Sequence, residues 1–283
     1  DMSRWLPWAL GKDPNAEDMP LWIAPDKKVD LPKMEACMRD HYEGTPLSLD
    51  KDIAQGIWDS PYRPTPLKFE VDGKQYFNER PISTQQTGFS YIAQLRSWLP
   101  REIGGILWFG NDDGNMVAYV PIYCSNTERA ECFNTPGADA VTFSDKNAFW
   151  VCNWVSNMVY PRYSQLFPAL KEVRDSLDNA FLAAQKGVEA KAEALYATDK
   201  AAAVKYLNDY SIQKSNEMIT RWRQLAIHLI VKFNDMAVKP EKDGKFLRTS
   251  TGLGKRVKRT GYSDYFKREL VKQTGDKFAV PNK

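Results

Sequence analysis

Side chains suited to binding or polarising a ligand are concentrated in three segments: RDHYEGTPLSL (39–49), NERPISTQQTGFSYIAQLRSWLP (78–100) and GGILWFG (104–110). They carry His41, Glu43, Thr45, Ser83, Thr84, Gln85, Gln86 and Arg96. Hydroxyls, carboxamides and a guanidinium set between apolar, strand-like or turn-like neighbours have the make-up of a cleft wall, because a polar group buried there must find a partner. His41 and Glu43 precede Gly44-Thr45-Pro46, where a turn exposes side chains and an imidazole and a carboxylate can orient each other. The same placement also suits a hydrogen-bonded histidine that closes a helix. Arg96 has two readings as well: it faces a ligand, or it pairs with a carboxylate such as Glu102. His228, inside the apolar run LAIHLIV, reads as a satisfied, partly buried histidine.

Other chemistries find no support. Only two histidines are present, and Cys37, Cys124, Cys132 and Cys152 have no CxxC or related spacing, so a zinc-type site is not expected and no cofactor is. The run GLGK (252–255) lacks a preceding strand and the rest of a phosphate-binding loop, and no GxSxG elbow occurs. Cys124 and Cys132 flank the loop SNTERAE, and a disulfide closing it is sterically feasible, worth about 2 to 3 kcal/mol on the chain-entropy account. Cys37 and Cys152, in apolar surroundings, read as buried free thiols.

Two kinds of element must position these residues. In residues 1–162 short strands dominate. KFEVDGKQYF (68–77) alternates around Asp72-Gly73, a hairpin turn signal; residues 82–96, 104–109 and 116–123 follow, with DDGN (112–115) turning between the last two. Adjacent strands joined by tight turns predict an antiparallel sheet over 68–123. Residues 31–41 predict a short helix ending near Gly44. In residues 163–235 the period changes. Leu166, Leu170, Val173, Leu177, Phe181, Ala184, Val188 and Leu195 form one apolar helical stripe, and it resumes after Asp199, a capping residue, through Val204, Leu207, Met218, Trp222, Leu225, Leu229 and Phe233. Two or three helices packed on the sheet are predicted, hence an α+β fold. Residues 236–283, with Pro240 and several glycines, predict an irregular basic tail.

The whole chain of 283 residues is 43% apolar and 27% charged, ordinary for a globular protein. Its net charge of +3 gives no reason to invoke nucleic acid. Residues 236–283 hold thirteen Lys and Arg against five Asp and Glu, a local +8 that leaves the preceding part at −5; GKRVKR (254–259) has the charge to bind phosphates, but without a recognition helix or aromatic interleaving the segment reads as a solvated surface lying against an acidic partner surface. No apolar run approaches the ~20 residues that a bilayer span requires. Residues 1–18 lack the basic-then-apolar order of a signal peptide.

The strings RDHYEGTP, ERPISTQQTGFSYIAQLRSWLP and DYSIQKSNEMITRWRQL, with MPLWIAPDKK before them, resemble the PepD-type cysteine dipeptidases, which are N-terminal-nucleophile (Ntn) hydrolases. The likeness covers most of residues 19–275. It implies a four-layer αββα sandwich and hydrolysis of dipeptides by a cysteine at the mature N-terminus, whose α-amino group acts as general base. This sequence starts with Asp1, so the expectation is that it represents the C-terminal part of such an enzyme, inactive alone, with the nucleophile in a missing N-terminal part. In that reading His41, Glu43, Thr45, Gln85, Gln86 and Arg96 hold substrate, and no catalytic residue is assigned. The wording ISTQQTGFS is similar to an exported bacterial branch, which implies a secreted or periplasmic setting and favours the Cys124–Cys132 pairing. The alternative is a non-catalytic module binding a peptide or glycan.

Overall fold

The computed structural model describes residues 2–64, 68–77 and 80–281. Asp1, Asn78 and Glu79, named above, lie outside them.

After a short turn α1 (Leu6–Ala9), helix α2 (Leu31–Met38) starts where Asp30 accepts a hydrogen bond from Lys33 N and Pro32 sits in the first turn. It stops before residue 41, because the chain turns through Tyr42 at φ +64°, a left-handed conformation that bulky residues rarely adopt. The hairpin β1 (Lys68–Val71) and β2 (Lys74–Phe77) turns at Asp72 and Gly73, both at positive φ as the two-residue turn demands.

The sheet beyond it has three antiparallel strands in the order β3 (Phe89–Leu95), β4 (Gly105–Asn111), β5 (Val120–Tyr123), with α3 (Arg101–Gly104) between the first two. β3 is shorter than the predicted 82–96. Residues 82–88 form turns instead, one closed by Thr87 N donating to Thr84 O. The register aligns Ile92 with Trp108 and Ile106 with Tyr123. These four side chains face inward and are buried.

Against that face lie three helices. α4 (Ala148–Val159) was not anticipated: AFWVCNWVSNMV is mostly apolar, and its polar face is the brief set Asn153, Ser156 and Asn157. α5 (Tyr163–Tyr196) and α6 (Lys200–Phe233) form the expected helical hairpin, with Asp199 accepting from Ala202 N at the start of α6. Leu170, Leu177 and Phe181 of α5 and Leu207, Met218 and Trp222 of α6 are almost fully buried. Each such side chain contributes roughly 1.5 to 3 kcal/mol of burial.

Residues 236–283 are less irregular than expected. They contain two ribbons, β6 (Ala237–Val238) with β9 (Lys258–Arg259) and β7 (Glu241–Lys242) with β8 (Lys245–Phe246), and the helix α7 (Asp264–Thr274), capped by Ser263. Sequence reading stopped at the glycines and missed that cap. The outer face of the β3–β5 sheet is bare: Phe89, Tyr91 and Leu95 are 59%, 53% and 76% exposed. No helix among the described residues is long and apolar enough to cross a membrane.

Candidate functional site

Where β4 ends, the DDGN loop turns into a short 3-10 helix (Gly114–Met116). Gly114 is required there, since a Cβ would come within 2.9 Å of both Met38 O and the Tyr119 hydroxyl. The end of α2 therefore presses directly on the loop. Arg39 fastens the two: Nε donates to Gly114 O (3.1 Å), and Nη2 donates to Val117 O (3.2 Å) and to Asp178 of α5 (2.7 Å). Nearby Glu35 is pushed up to about 7 by burial and by the Asp178 charge, against the pull of Arg39.

Asp113 is the hub. Its carboxylate, fully buried, accepts from Ser83 Oγ, from Asn115 N (3.2 Å), from the Tyr62 hydroxyl (2.5 Å) and from the Tyr160 hydroxyl (3.4 Å). Burial and the Asp113 charge raise Tyr62 and Tyr160 well above the ordinary phenol range, so both remain donors. Asn115 is oriented by Arg174, whose Nη1 donates to its backbone and side-chain oxygens, each at 2.7 Å. That commitment turns Nδ2 toward the Tyr163 hydroxyl (3.1 Å). Adjacent Asp112, at φ +83°, accepts from Ser156 Oγ (2.6 Å) and Asn153 Nδ2 (3.3 Å). Burial first, and the Asp113 charge as well, raise it to about 7 despite the Ser156 hydrogen bond.

The structure brings several of the expected residues to this end of the sheet. His41 is completely buried; its Nδ1 lies 3.1 Å from Glu43 Oε1, its ring meets Tyr62 edge-on at 4.8 Å, and its Nε2 has no hydrogen-bond partner among the described residues. Burial works against the Glu43 charge, but hydrogen bonds from the His41 ring and backbone outweigh it and hold the carboxyl at about 2. Ser83 joins the Asp113 cluster. Gln85 donates through Nε2 to Arg63 O (2.5 Å) and lines a cleft of about 570 Å³ with Trp58, Tyr62, Arg63, Asn157 and Tyr160. Thr45 instead closes a turn, donating to Tyr42 O and accepting from Leu47 N. Gln86 is exposed and accepts from Thr84 Oγ1.

Arg96 belongs elsewhere. It sits at the opposite end of the sheet, about 20 Å away along a seven-residue strand, where it pairs with Glu189 of α5 (2.5 Å) and donates to Ile103 O and Gly104 O. A carboxylate does pair with it, but Glu102 is engaged by Lys200. His228 lies flat against Phe246, with Nδ1 3.5 Å from Glu241, the satisfied histidine the sequence suggested. The expected disulfide is not formed: Cys124 is exposed beside Gly105 at the sheet edge, and Cys132 is buried in the interior in the turn Glu131–Phe133. Burial pushes the Cys132 thiol up to about 11 and Cys152 well above its ordinary range, so neither supplies a thiolate at neutral pH.

Sequence reasoning missed Tyr62, Arg63, Asp113, Asn115, Tyr160, Tyr163 and Arg174. DDGN was read as a turn, yet two adjacent carboxylates between apolar strands were a signal that a charge would be buried.

The structure is an antiparallel sheet backed by long helices, an α+β arrangement with a densely hydrogen-bonded polar cluster beside a cleft at one end of the sheet. Residues 2–176 match peptidase family C69, and the chain belongs to that family. It is 23% identical over 219 residues to a probable dipeptidase B of Streptococcus pyogenes serotype M1, covering 77% of this chain and 41% of that protein. It is 22% identical over 196 residues to a probable dipeptidase of Latilactobacillus sakei, covering 68% and 37%. The chain thus spans about two fifths of the length of the curated relatives it matches.

Proposed function

We propose that the chain is part of a dipeptidase that hydrolyses the amide bond of dipeptides through a cysteine nucleophile outside this sequence. Family membership over residues 2–176 carries the reading. In the chemistry envisaged, the cysteine's own α-amine, with an ordinary pKa near ~8, takes the thiol proton close to neutral pH. Two features support a nucleophile from elsewhere: two of the four thiols are buried with raised pKa values, and Cys124 lies at the sheet end away from the polar cluster.

The fold proposed is an Ntn-type αββα sandwich. The bare apolar outer face of β3–β5 has the character of a surface that packs on a second sheet ~10 Å away. Substrate is held between the His41–Glu43 turn, Gln85 and the Asp113–Asn115 loop, with Thr45 and Gln86 at the rim and Arg96 excluded by its distance. Asn115, aimed by Arg174, fixes the Tyr62 and Tyr163 hydroxyls through Nδ2 and so sets the shape of this end of the site. Assays of this chain and of a longer form with an N-terminal cysteine, against a dipeptide panel, test the reading. Activity only in the longer form is expected; hydrolysis by the shorter chain, or by neither, overturns it.

A further inference from the structure

Among the described residues that line the 570 Å³ cleft, Arg63 carries the only permanent charge. It is 5% exposed. One corner of its guanidinium is fully used: Nη2 donates to Leu49 O and to the two Asp52 oxygens at 3.0 and 2.9 Å. The other corner, Nη1, is equally buried and has no acceptor among the described residues. Gln85 grips the Arg63 carbonyl, so the residue is fixed at its backbone as well as at its side chain. The Asp52 side chain that shares its charge is 61% exposed, and water screens that compensation. The rest of the wall is neutral and largely aromatic: Trp58, Tyr62 and Tyr160, the last two with ring centroids 4.5 Å apart.

An immobilised guanidinium with a free, desolvated N–H in an aromatic cleft has the requirements of a carboxylate receptor. The hydrogen bond is charge-assisted and the guanidinium is already held by Leu49 O and Asp52, so admitting the ligand requires only that the wall covering Nη1 shift aside. We propose that Arg63 binds the free α-carboxylate of a short peptide, with Trp58 and Tyr160 receiving the side chain beside it. The inference rests on the dipeptidase reading for the identity of the ligand, and it gives that reading a specificity device. Tyr62 and Tyr160 belong both to the cleft and to the Asp113 cluster, so a carboxylate on Arg63 sets how many residues fit between the peptide's end and that cluster. A longer peptide, whose carboxylate falls beyond this point, loses the contact.

Isothermal titration of the chain with alanyl-alanine and with alanyl-alanine amide reads the carboxylate contact without catalysis, and kcat/KM for the same pair in the longer form reads it during turnover. The acid is expected to bind about 30-fold more tightly than the amide, the scale of one hydrogen bond to a charged group. Arg63→Gln should abolish that preference and Arg63→Lys restore part of it, with circular dichroism and Tm confirming that both fold. Equal affinity for acid and amide in the unaltered chain, no binding of either, or a preference surviving in folded Arg63→Gln overturns the proposal. If the longer form hydrolyses neither compound while the chain still distinguishes them through Arg63, the hydrolytic reading fails and the carboxylate site stands. Hydrolysis of both at equal kcat/KM has the opposite meaning.

Discussion

The two ends of the β3–β5 sheet carry similar polar groups and treat them differently. At the Gly104 end, Arg96 meets Glu189, Lys200 meets Glu102, and the arginine's remaining donors reach Ile103 O and Gly104 O. Charges there cancel in pairs and fasten helices to the sheet. At the DDGN end two adjacent carboxylates are buried with hydroxyl partners in place of cations, and two buried nitrogens nearby, His41 Nε2 and Arg63 Nη1, have no partner among the described residues. Uncompensated charge and unused donors are expensive to bury. The DDGN end thus holds the carboxylates that no cation cancels, and the Gly104 end the charges that fasten helices to the sheet.

The largest effect expected from this contrast is in pH dependence. Because the folded pKa of Asp112 is raised to about 7 from 3.8, its favourable contribution is fully present below about pH 4 and is lost as pH rises through about 7. Asp112→Asn should therefore gain stability relative to the unaltered protein between pH 4 and 8, by on the order of 4 kcal/mol. Urea titrations at both pH values measure it, and a gain independent of pH would place the burial elsewhere. Next in size, Asp113→Ala strands the Tyr62 and Ser83 hydroxyls, and should cost about 3 kcal/mol along with activity in the longer form, while Asn115 N keeps Ser83 Oγ at 3.0 Å.

Arg96→Ala should cost about 2 kcal/mol of stability by leaving the Glu189 charge without a cation, held only by Gln185 Nε2 and the Tyr123 hydroxyl, while kcat/KM per folded molecule stays unchanged. A selective loss of activity would break the division between the two ends. Gln85→Ala, which loosens the hold on Arg63, should lower kcat/KM about tenfold, equivalent to ~1.4 kcal/mol, whereas exposed Gln86→Ala should change it by less than ~0.5 kcal/mol. Equal effects from the two would mean that the cleft lies on the other side of this turn.

Periodicity made the α5–α6 hairpin legible down to its buried side chains and the Asp199 cap, because a repeating stripe and a local hydrogen bond are properties of neighbouring residues. The Asp72-Gly73 turn was legible for the same reason. α4 was not, since three polar residues, Asn153, Ser156 and Asn157, in a single short helix are too brief a stripe to mark a period. Within the site, the coupling of His41 to Glu43 could be read from their spacing. Asp113 and Arg63 could not, because their partners Tyr62, Ser83, Tyr160 and Leu49 lie 14 or more residues away, and which of many hydroxyls closes on a carboxylate is decided by tertiary packing. Arg96 shows the converse: a guanidinium among apolar residues has the same local pattern whether a ligand or a helix supplies its carboxylate.

The Arg39–Asp178 bond joins residues 139 positions apart, whereas α5 and α6 are connected by three residues. The helical hairpin can therefore form as soon as its own sequence is available, at little cost in loop closure, while the clamp on the DDGN loop has to wait for one of the longest loops in the chain to close. During refolding, amides of α5 and α6 should gain exchange protection before Tyr119 N, which donates to Asp178. The polar end of the sheet then acquires its shape last, after the scaffold that holds it is already in place.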